Sequence, residues 1–405
     1  MTLRQAVDTA VKQNPEVMMA RLDEQKAQES VRIARDPFSP KVVVGSGLAY
    51  TSGFPMSVEG SAPSVFQARA IQSLYNKPKS YEVAAARENA RGATIDTSAR
   101  REDVAHRTAL LYLEAQRAAR GAESARQLIA TSEKVASTVH ARVGEGRELP
   151  IELRRAALRL AQAKQRLADF DAVREQTEAS LAVVLGFGPD DRVRATSDEP
   201  PTPELPADEA ESVTEALANN REVQRLESAM QARGLEARAA RSEWLPQIDL
   251  IAQYGLFAKF NNYEDYFRTF QRHNGQIGAS IQFPVFAGKG AKARATQADL
   301  EVTRLRTQTN ALRDRVTLDT RKAWQDMRRA ESARELAKMD LEFTREQLSV
   351  LLAQSEEGRA SLRQVEELRA AETEKWLAYY EALHTVERAQ IDLLRQTGTI
   401  IAALR

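Results

Sequence analysis

Gly275 to Gly290, reading GQIGASIQFPVFAGKG, decides how the chain is read. Its first half alternates. Ile277, Ala279, Ile281 and Phe283 fall on one side, and Gln276, Gly278, Ser280 and Gln282 on the other. Successive strand residues point to opposite faces, so this is a strand with one apolar face and one small, polar face. Pro284 ends it, because proline cannot donate to a ladder. Beyond Gly290 the alternation stops and a long helix rich in Ala, Arg, Glu and Leu begins. The chain makes this switch from two-faced strand to long helix twice.

The second occurrence shows as a repeat. At an offset of 206, Asn14-Pro15-Glu16-Val17 aligns with Asn220-Arg221-Glu222-Val223, and Pro40 with Pro246. At an offset of 212, Val104 aligns with Val316, Gly146-Arg147 with Gly358-Arg359, and Gly186 with Gly398. The offset grows by six between Pro40 and Val104, where the strands lie, so the hairpin loops differ in length and the helices do not. The organisation expected is a first repeat over 1–187, a charged, proline-rich linker over 188–209 wrapping the outside, and a second repeat over 210–405.

Each copy reads helix, strand, strand, long helix, turn, helix. The strands are expected near 42–50, 65–75, 248–257 and 275–283. Val42, Val44, Leu48 and Tyr50 share a face of the first. Phe66, Ala68, Ala70 and Leu74 share one of the second, opposite Gln67, Arg69 and Ser73. Ile248, Leu250, Ala252, Tyr254 and Leu256 share one of the third. A helix from about Tyr81 to Val143, roughly 60 residues and on the order of 90 Å long, carries a 4-3-4-3 seam. The seam includes Val104, Thr108, Ala115, Ala118, Ala122 and Ala125, and its alanines let a partner helix approach closely. A turn at Gly144–Pro150 sends the chain back along Leu153, Ala156, Leu160, Ala163, Leu167 and Phe170, making a helical hairpin. The second copy turns around Gly358.

Composition excludes several classes. The 405 residues carry 58 basic and 57 acidic side chains, a net charge of +1, which gives no reason to expect nucleic acid. Cysteine is absent, which excludes disulfides, thiol catalysis, Cys-based zinc sites and an acylated N-terminal cysteine in this chain. No run of eighteen apolar residues could cross a membrane as a helix. No leader precedes Leu3, so the chain is either cytosolic or a mature form without its leader. There is no phosphate loop, no nucleophile set and no His/carboxylate cluster with ligand spacing. His106, His140 and His384 align with Leu318, Leu352 and Ala172, as helix-packing residues rather than metal ligands would. His273 stands alone in a loop. No cofactor, metal or catalytic residue is expected.

Strands of about ten residues in a mostly helical chain leave sheet edges exposed. A tilted strand of that length spans a bilayer, where only helices and closed barrels are tolerated. Four strands are too few for a barrel, whose minimum is about eight. Three chains supply twelve. Two soluble hairpins packed on the helices are the other reading the pattern allows.

In combination, these features resemble the TolC-like outer-membrane efflux protein family. The carriers are Leu3-Arg4-Gln5-Ala6 leading to Asn14-Pro15-Glu16-Val17, the junctions Ser39-Pro40 and Trp244-Leu245-Pro246, and Phe283-Pro284-Val285-Phe286-Ala287-Gly288-Lys289-Gly290. The two Gly-centred turns and the duplication complete the set. The resemblance implies a mainly α chain with a membrane β-hairpin part. Its long antiparallel coiled-coil helices form a trimeric α-barrel, continued by a 12-stranded β-barrel with four strands per protomer. The function implied is a passive, gated exit duct of a tripartite efflux or type I secretion system, not an enzyme. The partners implied are a homotrimer, a periplasmic adaptor protein, an inner-membrane pump and outer-membrane lipid. The location implied is the outer membrane and periplasm, the export signal having been removed or lying upstream of Met1. A periplasmic adaptor and a soluble coiled-coil scaffold are the alternatives.

The resemblance also implies site residues. Family members narrow their periplasmic end with acidic residues six and nine positions after the second turn glycine, which here are Gln364 and Glu367; the first is not acidic. Glu152 lies six after Gly146. Adaptor contact falls to the tips, at Gly146, Arg147, Leu149, Gly358, Arg359 and Leu362. Ile277, Ala279, Ile281, Phe283, Ile248, Leu250 and Tyr254 face lipid. Of the aromatic residues around the second strand loop, Phe257 and Phe260 suit a headgroup girdle, and Tyr263, Tyr266, Phe267 and Phe270 the outer loop.

Overall fold

A computed structural model describes residues 1–47, 64–196, 205–257, 271–285 and 288–404. Leu48, Tyr50, Phe260, Tyr263, Tyr266, Phe267 and Phe270 lie outside the described residues, as does the side chain of Leu362. Contacts divide the chain into two compact units. One comprises Met1–Arg21, Asp96–Gln224 and Ala311–Arg405, the other Leu22–Ile95 and Arg225–Asn310.

The elements run α1 (Leu3–Gln13), α2 (Pro15–Arg35), β1 (Lys41–Gly47), β2 (Ser64–Asn76), α3 (Lys77–Gly144), α4 (Pro150–Val184), α5 (Glu209–Asn219), α6 (Arg221–Arg241), β3 (Gln247–Phe257), β4 (His273–Gln282), α7 (Gly288–Glu356), α8 (Leu362–Thr397) and α9 (Ile400–Ala403). A short 3-10 turn at Asp36–Phe38, started by Pro37, links α2 to β1. Thr2 opens α1 with a capping box to Gln5, which satisfies two end donors at once.

In the strand-bearing unit, β1 to β4 form one antiparallel sheet in chain order. Register sorts the faces. Val42 pairs with Ala70, Ala70 with Ala252, and Ala252 with Ile277, one row across all four strands. Leu250 stands against Ala279, and Ile248 against Ile281. The other face carries Gln67, Arg69, Ser73, Asp249, Gln253, Gln276, Ser280 and Gln282, with Val43, Ile71 and Ile251 as apolar exceptions. The apolar face is bare in the single chain: Val42 is 67% and Ile277 80% exposed.

Three expectations change here. A bulge between Ser73 and Tyr75 makes Leu74 the extra residue, so Tyr75 takes the place opposite Ile248 that alternation assigned to Leu74; a bulge flips the phase of everything beyond it. His273 is not in a loop but starts β4, where its Nδ1 lies 2.7 Å from the Tyr254 hydroxyl. β4 ends at Gln282, which leaves Phe283 just beyond the ladder. Gln72 sits on the apolar face, and its amide donates to the Phe38 carbonyl at 3.1 Å.

In the other unit, α1, α3, α4, α8 and α9 share a core that includes Val7, Val11, Val104, Tyr112, Leu181, Leu185, Leu394 and Ile400. The alanine seam of α3 is buried at Ala115, Ala118, Ala122 and Ala125. Gly121 sits beside it because a Cβ there would come within 2.5 Å of the Phe170 ring. The segment after α4 does not simply wrap the outside. Val193, Ala195 and Leu205 pack against the core, and the Met1 ammonium donates to the Arg194 carbonyl at 2.9 Å. Apolar side chains in an otherwise polar linker account for this.

The repeat is visible as packing. Asn14 breaks the helix before α2: its carboxamide accepts from Glu16 N at 2.8 Å and donates to Val184 O at 2.8 Å. In the second copy Asn220 accepts from Val223 N at 3.0 Å, while neighbouring Asn219 donates to Thr397 O at 3.1 Å.

Candidate functional site

Both tips are built on one backbone device. After α3, Gly146 takes φ +70°, its N–H donates to Val143 O at 3.0 Å, and Arg147 N–H donates to Arg142 O at 2.8 Å. After α7, Gly358 takes φ +73°, with the matching bonds to Ser355 O at 3.0 Å and Gln354 O at 2.8 Å. These paired bonds satisfy the last carbonyls of a helix around a left-handed residue, which favours glycine. Arg147 and Arg359 lie out on the turns, each paired with the glutamate two residues before it at 3.1 Å.

The residues that start the return helices differ. Leu149 is the N-cap of α4 with no side-chain cap, and it is 68% exposed. The same place in the second copy holds Ser361, whose hydroxyl accepts from Gln364 N at 3.3 Å while Ser361 N donates to the Gln364 amide oxygen at 2.9 Å. Gln364 is therefore a capping residue. The Ser-x-x-Gln spacing at Ser361 and Gln364 is the sequence signature of this capping box.

Glu152 and Glu367 are brought together. Both line a small cavity of about 50 Å³ with Val139, Arg142, Arg155 and Arg159; Gln364 does not. Glu152 is held by Arg155 at 2.7 Å. Glu367 sits between Arg363 at 3.5 Å and Arg159 at 3.8 Å. The expected acidic groups are thus each matched by arginine within one chain.

Arg159 begins a run of pairs joining the two copies that sequence reading missed. Arg166 faces Glu374 at 3.7 Å, and Arg117 faces Glu381 at 2.9 Å. Glu367, Glu374 and Glu381 recur every seven residues, so heptad spacing of opposite charges was the available signal. Further along α8, His384 lies 3.3 Å from Glu114, and His106 2.7 Å from Asp392. These two histidines are mostly buried between helices and add a polar link there. Burial holds His384 below the ordinary histidine pKa, against the pull of Glu114. The hydrogen bond from Arg117 holds Glu114 low.

Three comparisons bear on the chain. The family model described as outer membrane efflux protein matches residues 6–187 and 213–399. No curated protein matches by sequence. Among solved structures, the chain is similar to CusC, with TM-score 0.80, 15% identity, and coverage of 98% of this chain and 92% of that one. It is similar to VceC of Vibrio cholerae, with TM-score 0.76, 17% identity, and coverage of 98% and 96%. It is also similar to the CmeC outer membrane channel of Campylobacter jejuni, with TM-score 0.76, 14% identity, and coverage of 98% and 85%.

Proposed function

The chain belongs to the outer membrane efflux protein family, and from that premise we propose how this chain closes, docks and narrows its channel. The protein is an outer-membrane channel reaching into the periplasm, a passive exit duct of a tripartite efflux system rather than an enzyme. Members of the family form trimers that work with adaptor proteins and inner-membrane pumps. Family membership sets aside the adaptor and soluble-scaffold readings.

Three copies close into a twelve-stranded barrel, β4 of one pairing with β1 of the next. The observation that carries this is the sheet itself. Its two outer strands keep open edges, and its apolar row Val42–Ala70–Ala252–Ile277 ends in residues bare to solvent. In lipid an unpaired edge costs several kcal/mol per group. Ile248, Leu250, Tyr254, Ile277, Ala279 and Ile281 then face lipid, with Phe283 at the barrel's inner rim.

The tips carrying Gly146, Arg147, Leu149, Gly358, Arg359 and Leu362 meet the adaptor, which couples the duct to the pump. Leu149 supports this: an apolar N-cap forgoes about 1 kcal/mol of capping, yet its side chain stays in solvent. Glu152, Gln364 and Glu367 narrow the periplasmic entrance.

Planar-bilayer recording of the detergent-purified protein tests the whole reading. Stepwise conductance from a trimer is expected; a monodisperse monomer in plain buffer that never inserts would sink it. Gln364→Asp should strengthen cation selectivity or divalent block. An unchanged reversal potential would move the constriction elsewhere.

A further inference from the structure

The polar face of the sheet is nearly neutral, and its exceptions are not alike. Among the described residues its charged side chains are Lys41, Arg69 and Asp249. Lys41 is matched by Asp36 at 2.5 Å. Asp249 accepts from the Gln247 amide at 2.8 Å and is mostly buried. Arg69 is exposed and has no hydrogen-bond or ion-pair partner among the described residues.

Register explains why nothing matches it. Arg69 stands between Val43 on β1 and Gln253 on β3, with Gln276 beyond on β4. The carboxylate of that face, Asp249, pairs with Ser73, four residues along β2 from Arg69. Four strand residues span about 13 Å, longer than the screening length of about 10 Å at 0.1 M salt. Asp249 therefore does little to cancel the charge of Arg69. The β4 residues Gly278 and Ser280 on the same face are small and leave it room.

We propose that Arg69 is a selectivity residue of the barrel lumen, three copies setting a ring of positive charge that favours small anions and slows cationic cargo at the exit. Rings of arginine or lysine select anions in pores, and lumen-facing substitutions tune barrel selectivity. The inference rests on the trimeric barrel proposed above.

The test is the reversal potential of single channels under a KCl gradient near 0.1 M, for the wild type, Arg69→Lys, Arg69→Gln and Arg69→Glu. Relative to wild type, Arg69→Gln should shift the potential toward the potassium value and Arg69→Glu further, with Arg69→Lys unchanged. The shifts should shrink near 1 M salt, where the screening length is about 3 Å. Conducting Arg69→Gln and Arg69→Glu trimers with the wild-type reversal potential would overturn the role of Arg69 and leave the channel intact. If Arg69→Glu fails to assemble, Arg69→Gln against Arg69→Lys decides. A wild type that neither trimerises nor conducts would remove the barrel reading instead.

Discussion

Gly146 and Gly358 at the hairpin tips, and Gly186 and Gly398 at the hairpin bases, all hold left-handed backbone, with φ between +69° and +90°. Their surroundings are opposite. At the tips an added Cβ would meet nothing within 4 Å. At the bases it would come within 2.9 Å of the Gln13 carbonyl oxygen or 2.8 Å of the Asn219 Cβ. A tip is decided by its own backbone, so the side chains around it are free to diverge, as Leu149 and Ser361 have. A base is decided by what packs against it, and there the two copies have kept the same joint.

The strongest way to break this contrast is to add a methyl at each place. Gly398→Ala combines backbone strain with a clash, and should cost about 3 kcal/mol. Gly358→Ala meets only the strain and should cost about 1 kcal/mol. Thermal melting of the purified trimers checks the order; equal losses would mean the tip is packed after all.

Exchanging the caps comes next. Leu149→Ser should raise stability by about 1 kcal/mol while weakening adaptor binding about tenfold, roughly 1.4 kcal/mol. A melting curve and a titration with the adaptor read the two effects separately. A gain in stability with unchanged affinity would show that the first tip is not the docking surface.

A smaller loss, about 0.5 kcal/mol, is expected for Gln364→Ala, which removes one half of the capping box. Hydrogen exchange at the start of α8 should rise, with no matching change at α4. Protection that stays as before would show that the cap does not hold this helix end.

The smallest effect concerns pH. Burial depresses the folded pKa of His384. The unfolded chain thus takes up a proton first as the pH falls, and stability is lost from about pH 6.5 down through the depressed value. His384→Leu should flatten the melting temperature over that window. A slope equal to wild type would place the acid sensitivity of that window at other groups; Glu16, held low first by its hydrogen bond from Arg107, loses its stabilising effect only at pH below the ordinary glutamate pKa.

Much of this was legible because duplication writes each device twice. Gly146 with Gly358 and Gly186 with Gly398 stood out at one offset, and strand alternation in Ile277, Ala279 and Ile281 needed no structure. The bulge at Leu74 was not legible, since an extra residue leaves no mark on a period-two pattern until its partner Ile248 is known. The seven-residue spacing of Glu367, Glu374 and Glu381 marks a charged seam, but that Arg159 is the partner of Glu367 was not legible, because those residues are far apart in sequence and meet only when the two hairpins lie together.

The sequence by itself determined the long helices, the turns between them and the two-faced character of the strands, because periods of 3.5 and 2 and a left-handed glycine are properties of neighbours along the chain. Only the tertiary structure decided which charges are spent and which remain. Glu152 and Glu367 are matched by arginine, Lys41 by Asp36, and Arg69 by nothing among the described residues. An ion pair depends on a few ångströms between distant residues, and that distance is set by register and helix packing rather than by composition.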